Sequence, residues 1–73
     1  MVDHNYVGYD FFVKPLSPAV EILIAQLGAA GFESFIETEQ GVSAYISKND
    51  WNEAILNDIQ ILNSDEFKIS FSF

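Results

Sequence analysis

The fold of this chain is decided by residues 6–31, which read YVGYDFFVKPLSPAVEILIAQLGAAG. Between Val7 and Val13 every second side chain is apolar, which is the period of a strand with one buried face. After Pro15 the apolar residues are instead spaced as on one side of a helix. They are Val20, Leu23, Ile24 and Leu27. The stretch therefore predicts a strand from Tyr6 to Lys14 followed by a helix from about Pro18 to Ala30.

Both ends of the predicted helix carry residues that favour a helix boundary. Ser17 offers a hydroxyl that can accept a hydrogen bond from an unpaired N–H, and Pro18 stands at the first helical position, where its missing N–H costs nothing. Gly31 is placed to end the helix in the left-handed region. We therefore expect Ser17 and Gly31 to bound the helix.

The middle of the chain predicts a β-hairpin. Residues 32–38 and 42–47 flank the turn Glu39-Gln40-Gly41, in which Gly41 can adopt a positive φ. In the second of these strands Val42, Ala44 and Ile46 share one face. The first strand has apolar residues on both faces, and we interpret Ile36 as pointing inward.

A second helix is predicted after Asp50. This aspartate can cap the helix while Glu53, three residues later, reaches back to it, so that two unpaired N–H groups are satisfied. The buried stripe of this helix would consist of Trp51, Ala54, Ile55, Ile59 and Leu62. After the polar break Asn63-Ser64-Asp65, alternating apolar and polar residues predict a last strand. Its apolar residues are Phe67, Ile69, Phe71 and Phe73.

The predicted order of elements is strand, helix, strand, strand, helix, strand. Two helices that are each apolar on one side need a shared sheet face on which to pack. We therefore predict an α+β fold, a ferredoxin-like βαββαβ sandwich with a four-stranded antiparallel sheet and two helices on one face. The first and third strands would be central, and the second sheet face would be uncovered. Residues 1–73 are predicted to form one domain.

Composition excludes several classes of function. None of the 73 residues is cysteine, which rules out disulfide frameworks, zinc–thiolate sites and iron–sulfur clusters. The chain has 11 acidic residues against three lysines and no arginine, which gives a net charge of −8. This charge disfavours binding of nucleic acid and favours basic partners. The alternative is that the acidic residues serve only to keep the protein soluble. No stretch reaches the roughly 18 apolar residues that span a bilayer, so we expect no membrane partner and a cytoplasmic protein.

The residues that catalysis needs are missing from the pattern. The single histidine, His4, lies in the N-terminal segment, so no serine can be paired with a histidine on an ordered element. No glycine-rich turn opens a helix to hold a phosphate. Glu33, Glu37 and Glu39 can be read as a site for a hard cation, but a solvated edge strand is favoured. We predict no catalytic, cofactor-binding or metal-binding residue in this chain.

The uncovered sheet face is the candidate binding surface. The alternation that buries Phe11 and Ala44 turns Phe12 and Tyr45 to the uncovered side, and exposed aromatic residues often mark an interface. The predicted partner contacts are Asp10, Phe12, Phe35, Glu37 and Tyr45. Central-strand aromatics also stack bases in RNA-binding modules, but such a platform needs a basic rim. We expect Asp10, Glu33 and Glu37 on this face against only Lys14 and Lys68, which argues against RNA.

Two adjoining segments resemble a known family. Residues 21–27, EILIAQL, and 31–39, GFESFIETE, resemble the N-terminal domain of bacterial ribosomal protein methyltransferases, in particular those that methylate large-subunit ribosomal protein eleven. The resemblance implies a ferredoxin-like domain that recognises the substrate protein, followed by a Rossmann-type domain that binds S-adenosylmethionine. It implies a basic ribosomal protein as partner and no methyl-donor site in this chain, which we expect to be an excised piece of the enzyme.

Two other classes of function remain open. A stand-alone regulatory or homodimerising domain would use the same uncovered face against a copy of itself, and the sequence leaves the oligomeric state undecided. A small enzyme of the acylphosphatase type would share the fold, but it needs a phosphate-binding arginine that this chain lacks.

Overall fold

The computed structural model describes residues 5–73, so that His4 lies outside the described residues. Its helices and strands follow one another in the order β1 Tyr6–Lys14, α1 Ala19–Ala29, β2 Ser34–Thr38, β3 Gly41–Ser47 and β4 Lys68–Ser72. Between β3 and β4 lie two short 3₁₀ turns, Ile55–Asp58 and Gln60–Asn63. The α+β class and the four strands are confirmed, whereas the second α-helix is not formed.

The four strands form one antiparallel sheet in the order β2-β3-β1-β4. The prediction that the first and third strands are central is therefore confirmed. Tyr9 lies opposite Ala44, and Phe11 lies opposite both Val42 and Phe71. Directly opposed residues of an antiparallel pair point to the same side of the sheet, so these pairs define one face, here called the helix face. The other side is called the open face.

The core lies between the helix face and α1. Alternate residues of β1 and β3 meet the apolar stripe of α1, as the sequence periods predict. The buried hydrophobic residues are Tyr9, Phe11, Val13, Val42, Ala44 and Ile46 from the sheet, Ala19, Val20, Leu23 and Leu27 from α1, and Phe32, Ile55, Ile59 and Ile61 from the connections. Burial of this set is the main favourable term for folding, since no disulfide is present.

The two predicted boundaries of α1 differ in outcome. At the start, the N-cap position is occupied by Pro18 and no side chain caps the helix, so the expected role of Ser17 is wrong. Backbone groups act instead, because the N–H of Val20 donates to the carbonyl oxygen of Leu16 over 2.8 Å. At the end, Gly31 has a φ of 114°, as predicted for a glycine that terminates a helix.

The predicted second helix is replaced by the two 3₁₀ turns because the chain is extended at Ile59, where ψ is 100°. The predicted capping role of Asp50 is also wrong, since the Asn52 side chain accepts the hydrogen bond from the N–H of Ala54. Further along, the N–H of Ile61 donates to the side-chain oxygen of Gln26 on α1 over 2.8 Å. A side chain of α1 thus satisfies a backbone donor that a helix would have paired internally.

The edge of the helix face at β4 is consequently less covered than predicted. Phe71 lies on this face but is 49% exposed, and Phe73 is 76% exposed. Both rings contact Tyr9, and the centroid of the Phe73 ring lies 5.7 Å from that of Trp51. The aromatic residues therefore pack on one another where a helix was expected.

One hydrogen bond ties this aromatic group to the sheet and is open to a direct test. Nε1 of Trp51 donates to the hydroxyl oxygen of Tyr9 over 2.9 Å, and Tyr9 is buried. Tyr9→Phe is expected to lower the free energy of unfolding by about 1 kcal/mol, because the indole N–H loses its partner. Urea unfolding measures this loss. Tyr45→Phe is the control, and a comparable loss there would contradict the assignment.

Candidate functional site

The open face is the candidate site, and its composition follows from the strand register. Its residues are Tyr6, Gly8, Asp10, Phe12 and Lys14 from β1, Ser34, Ile36 and Thr38 from β2, Gly41, Ser43, Tyr45 and Ser47 from β3, and Lys68, Ser70 and Ser72 from β4. Neither α1 nor the 3₁₀ turns pack on this side, since the buried apolar residues of β1 and β3 all belong to the helix face. Within residues 5–73 no helix or turn covers the open face.

Four large apolar or aromatic side chains stand on the open face. Ile36 is 58% exposed, Phe12 41% and Tyr6 39%. Tyr45 is half-buried because its ring lies across Gly8, where a Cβ atom would approach the ring to 2.8 Å. The Tyr45 ring can lie in this position because Gly8 has no side chain. Sequence reasoning found Phe12 and Tyr45, but it missed this use of the glycine.

The carboxylate on the open face is held in position. Asp10 lies directly opposite Ser43, whose hydroxyl donates a hydrogen bond to Oδ1 of Asp10 at 2.5 Å. A bond between neighbouring central strands restricts the rotamers of both side chains. Asp10 thus presents a fixed negative charge between Phe12 and Tyr45 on the same face.

Two of the five predicted partner contacts lie on the wrong side of the sheet. Phe35 is opposite Ala44 and packs against the core, and Glu37 is opposite Val42, so both belong to the helix face. The inward placement of Ile36 is wrong for the same reason, because Ile36 lies opposite Ser43 on the open face. A shift of one residue in the facing of a strand exchanges all its side chains between the two faces.

This correction changes the charge of the open face. The expected combination of Asp10, Glu33 and Glu37 is not present, because Glu37 lies on the helix face and Glu33 precedes β2. By register the face carries one carboxylate, Asp10, with Lys14 and Lys68 at one end. Most of the negative charge of residues 5–73 therefore lies away from this surface.

The three glutamates considered as cation ligands are exposed. In residues 5–73 no group of three or more histidine, cysteine, aspartate or glutamate side chains is placed to hold a metal ion. Within the same residues, no helix has the length and apolar character needed to cross a membrane.

The described residues have an α+β fold, and the open face of their sheet exposes apolar side chains. Comparison with known proteins gives the relatives. The chain is 37% identical over 71 residues to ribosomal protein L11 methyltransferase of Bacteroides fragilis, which covers 94% of this chain and 25% of that protein. To the enzyme of the same name from Bacteroides thetaiotaomicron it is 46% identical over 45 residues, which are 60% of this chain and 16% of that protein.

The chain therefore spans about a quarter of the length of the curated relatives that it matches. It is homologous to an N-terminal part of proteins named ribosomal protein L11 methyltransferase. No protein-family model and no solved structure matches the chain.

Proposed function

We propose that this chain is the domain with which a ribosomal protein methyltransferase recognises its substrate protein. The observation that carries the proposal is the 37% identity over 94% of the chain to part of ribosomal protein L11 methyltransferase. The described residues offer an exposed apolar surface and no cluster of metal-ligating side chains. In this proposal the remainder of the enzyme binds S-adenosylmethionine and transfers the methyl group. The enzyme acts in the cytoplasm, and the partner of this chain is ribosomal protein L11.

The proposal includes a ferredoxin-like topology for this chain. The strand order β2-β3-β1-β4, with every neighbouring pair antiparallel, agrees with the order expected for that fold. In this interpretation the two 3₁₀ turns between β3 and β4 occupy the place of the second helix.

The substrate protein is proposed to dock on the open face around Asp10. Phe12 and Tyr45 lie on either side of this carboxylate, and Ile36 lies two strands away on the same face, beyond Ser43. These side chains supply apolar area, while Asp10 can pair with a lysine or arginine of the partner. The net charge of −8 attracts a basic protein from a distance and raises its association rate. Apolar contacts would then supply most of the affinity.

The docking face is tested by removing its most exposed aliphatic side chain. Ile36→Ser is expected to weaken binding of purified ribosomal protein L11 about tenfold in a calorimetric titration, because Ile36 is 58% exposed and faces the proposed partner. Ile22→Ser is the matched control, since Ile22 is 37% exposed on α1, away from the open face. Its affinity should remain that of the unchanged chain.

Three results would contradict the proposal. The first is a titration with neither heat nor change in the amide chemical shifts of the open face. The second is an equal loss of affinity for Ile36→Ser and Ile22→Ser, which would place the contact elsewhere. The third is sedimentation of the chain alone as a dimer that ribosomal protein L11 cannot dissociate, which would favour a self-associating domain.

A further inference from the structure

A groove at one end of the sheet combines apolar walls with positive charge. It lies where β1 ends and β4 begins and has a volume of about 900 Å³. Its apolar walls come from both sides of this end of the sheet. We call it the lysine groove and define it by Phe12, Leu16, Phe67, Ile69, Lys14 and Lys68. The substrate-recognition proposal above shares Phe12 with this groove but uses neither of its lysines.

Lys14 and Lys68 lie directly opposite each other on neighbouring strands. Opposed residues of an antiparallel pair have Cβ atoms roughly 5 Å apart, and like charges at that position destabilise the sheet. The chain has three lysines and no arginine, so two of its three basic side chains meet here. A carboxylate placed between the two ammonium groups would offset the repulsion between them.

The apolar part of the groove is open to solvent. Phe12 and Leu16 are each 41% exposed, and Phe67 and Ile69 are half-buried beside them. One carboxylate of the chain, that of Glu39, also lines the groove, so that the lining residues carry two positive charges against one negative charge. The groove is thus a locally positive and apolar site on a chain whose net charge is −8.

We propose that the lysine groove binds an acidic segment of a partner polypeptide in which a carboxylate side chain stands next to an aromatic or aliphatic one. The carboxylate bridges Lys14 and Lys68, and the apolar neighbour packs against Phe12 and Leu16. This inference does not depend on the identity of the substrate protein, because it rests on the lysine pair and on a ligand of the opposite charge, although Phe12 is common to both surfaces.

The total charge of the chain selects a peptide over a nucleic acid. A polyphosphate would bring many negative charges near a chain of net charge −8, and repulsion acts over a Debye length of about 8 Å. A short segment with one or two carboxylates avoids most of this repulsion while still reaching the lysine pair. Its apolar side chain gains the burial that a phosphate cannot provide.

The test is a nuclear magnetic resonance titration of the ¹⁵N-labelled chain with two matched peptides. One is acetyl-Asp-Phe-Asp-Leu-amide, and the other replaces both aspartates by asparagine. The acidic peptide is expected to shift the amide signals of residues 12–14, 16 and 67–70, and its affinity should exceed that of the neutral peptide about tenfold.

Substitutions of lysine locate the site. Lys14→Gln together with Lys68→Gln should weaken binding of the acidic peptide at least about tenfold, and Lys68→Gln alone should weaken it in part. Lys48→Gln is the control for the single substitution, because it removes the same charge from a residue outside the groove. The amide spectrum of each variant shows whether the fold is retained.

Several outcomes would overturn the inference. Equal binding of the two peptides would show that the lysines do not select a carboxylate. Equal losses for Lys48→Gln and Lys68→Gln would show that only total charge matters. Stronger binding of oligothymidylate than of the acidic peptide, with shifts at the same residues, would assign the groove to phosphate ligands. None of these outcomes concerns ribosomal protein L11, so failure here is distinct from failure of the proposed function.

Discussion

Replacing Gly41 by alanine is expected to lower the free energy of unfolding by about 3 kcal/mol. A Cβ atom at this position would collide with the backbone carbonyl oxygen of Phe11 and lie 3.2 Å from Cγ2 of Val13. Gly41 begins β3 and lies opposite both Phe12 and Thr38, so its strand cannot move away without weakening the pairing on both sides. The loss corresponds to a fall in melting temperature of about 12–24 °C for a domain of this size.

Urea unfolding followed by circular dichroism measures this loss, and Gly28→Ala is its control. Gly28 is exposed near the end of α1, and a Cβ there would lie 4.0 Å from Cζ of Phe35, an ordinary contact. Alanine is a better helix former than glycine, so this control should gain about 0.5 kcal/mol. A loss below about 1 kcal/mol for Gly41→Ala would show that the hairpin adapts easily.

Gly41 also illustrates what a sequence pattern reveals about a turn. The sequence predicts a β-hairpin around this glycine, and β2 and β3 do pair as antiparallel neighbours. The expected reason was a positive φ, yet Gly31 is the glycine with that conformation among residues 5–73. Gly41 is required by a close approach of β1, a contact between residues about 30 positions apart that no local pattern records.

The central strands were predictable because their two faces differ clearly. In β1 and β3 one face is apolar throughout, whereas the other mixes aromatic residues such as Phe12 and Tyr45 with charged, hydroxyl-bearing and glycine residues, so only one facing buries a fully apolar set. β2 is an edge strand with Phe35 and Ile36 in succession, and either facing exposes one of them. Pairing with β3 decides the matter, since it places Phe35 beside the core and Ile36 on the open face.

The failure of the second helix has a comparable cause. Its apolar residues fit a helical stripe, but Asn57, Asp58 and Asn63 have low helix propensity and bond readily to nearby backbone groups. The buried residue near the end of this segment is Ile61, whereas the helical spacing predicted Leu62. The hydrogen bond from Ile61 to Gln26 depends on α1, so the local sequence alone could not reveal it.

For the candidate site, three of the five residues predicted as contacts lie on the open face, as the sequence predicts, while their contact with a partner stays a prediction. Asp10, Phe12 and Tyr45 follow from the alternation in β1 and β3. The sequence places Lys14 and Lys68 on the open face but does not show that they lie opposite each other, because they are 54 positions apart and meet only through the register of β1 and β4. The alternation of apolar residues within a strand therefore predicts which face of the sheet a residue lies on. Which residue lies opposite it on the neighbouring strand can be known only from the register of the two strands.

The orientation of α1 on the sheet can be tested with two adjacent residues. Leu23 is fully buried and Ile22 is 37% exposed, although they are neighbours in the chain. Successive residues of an α-helix point about 100° apart, so one faces the sheet and the other faces solvent. Leu23→Ala is expected to lower the free energy of unfolding by about 3 kcal/mol, because it removes buried methyl groups and leaves a cavity.

Ile22→Ala should cost less than about 1 kcal/mol, since most of the removed surface is already in contact with water. Urea unfolding of both variants gives the comparison. A domain of this length has a total stability of roughly 4–11 kcal/mol, so Leu23→Ala removes a large part of it and partial unfolding should be visible in the amide spectrum. Equal losses at the two positions would mean that α1 is rotated on the sheet, and the control used for the docking face would then no longer lie in solvent.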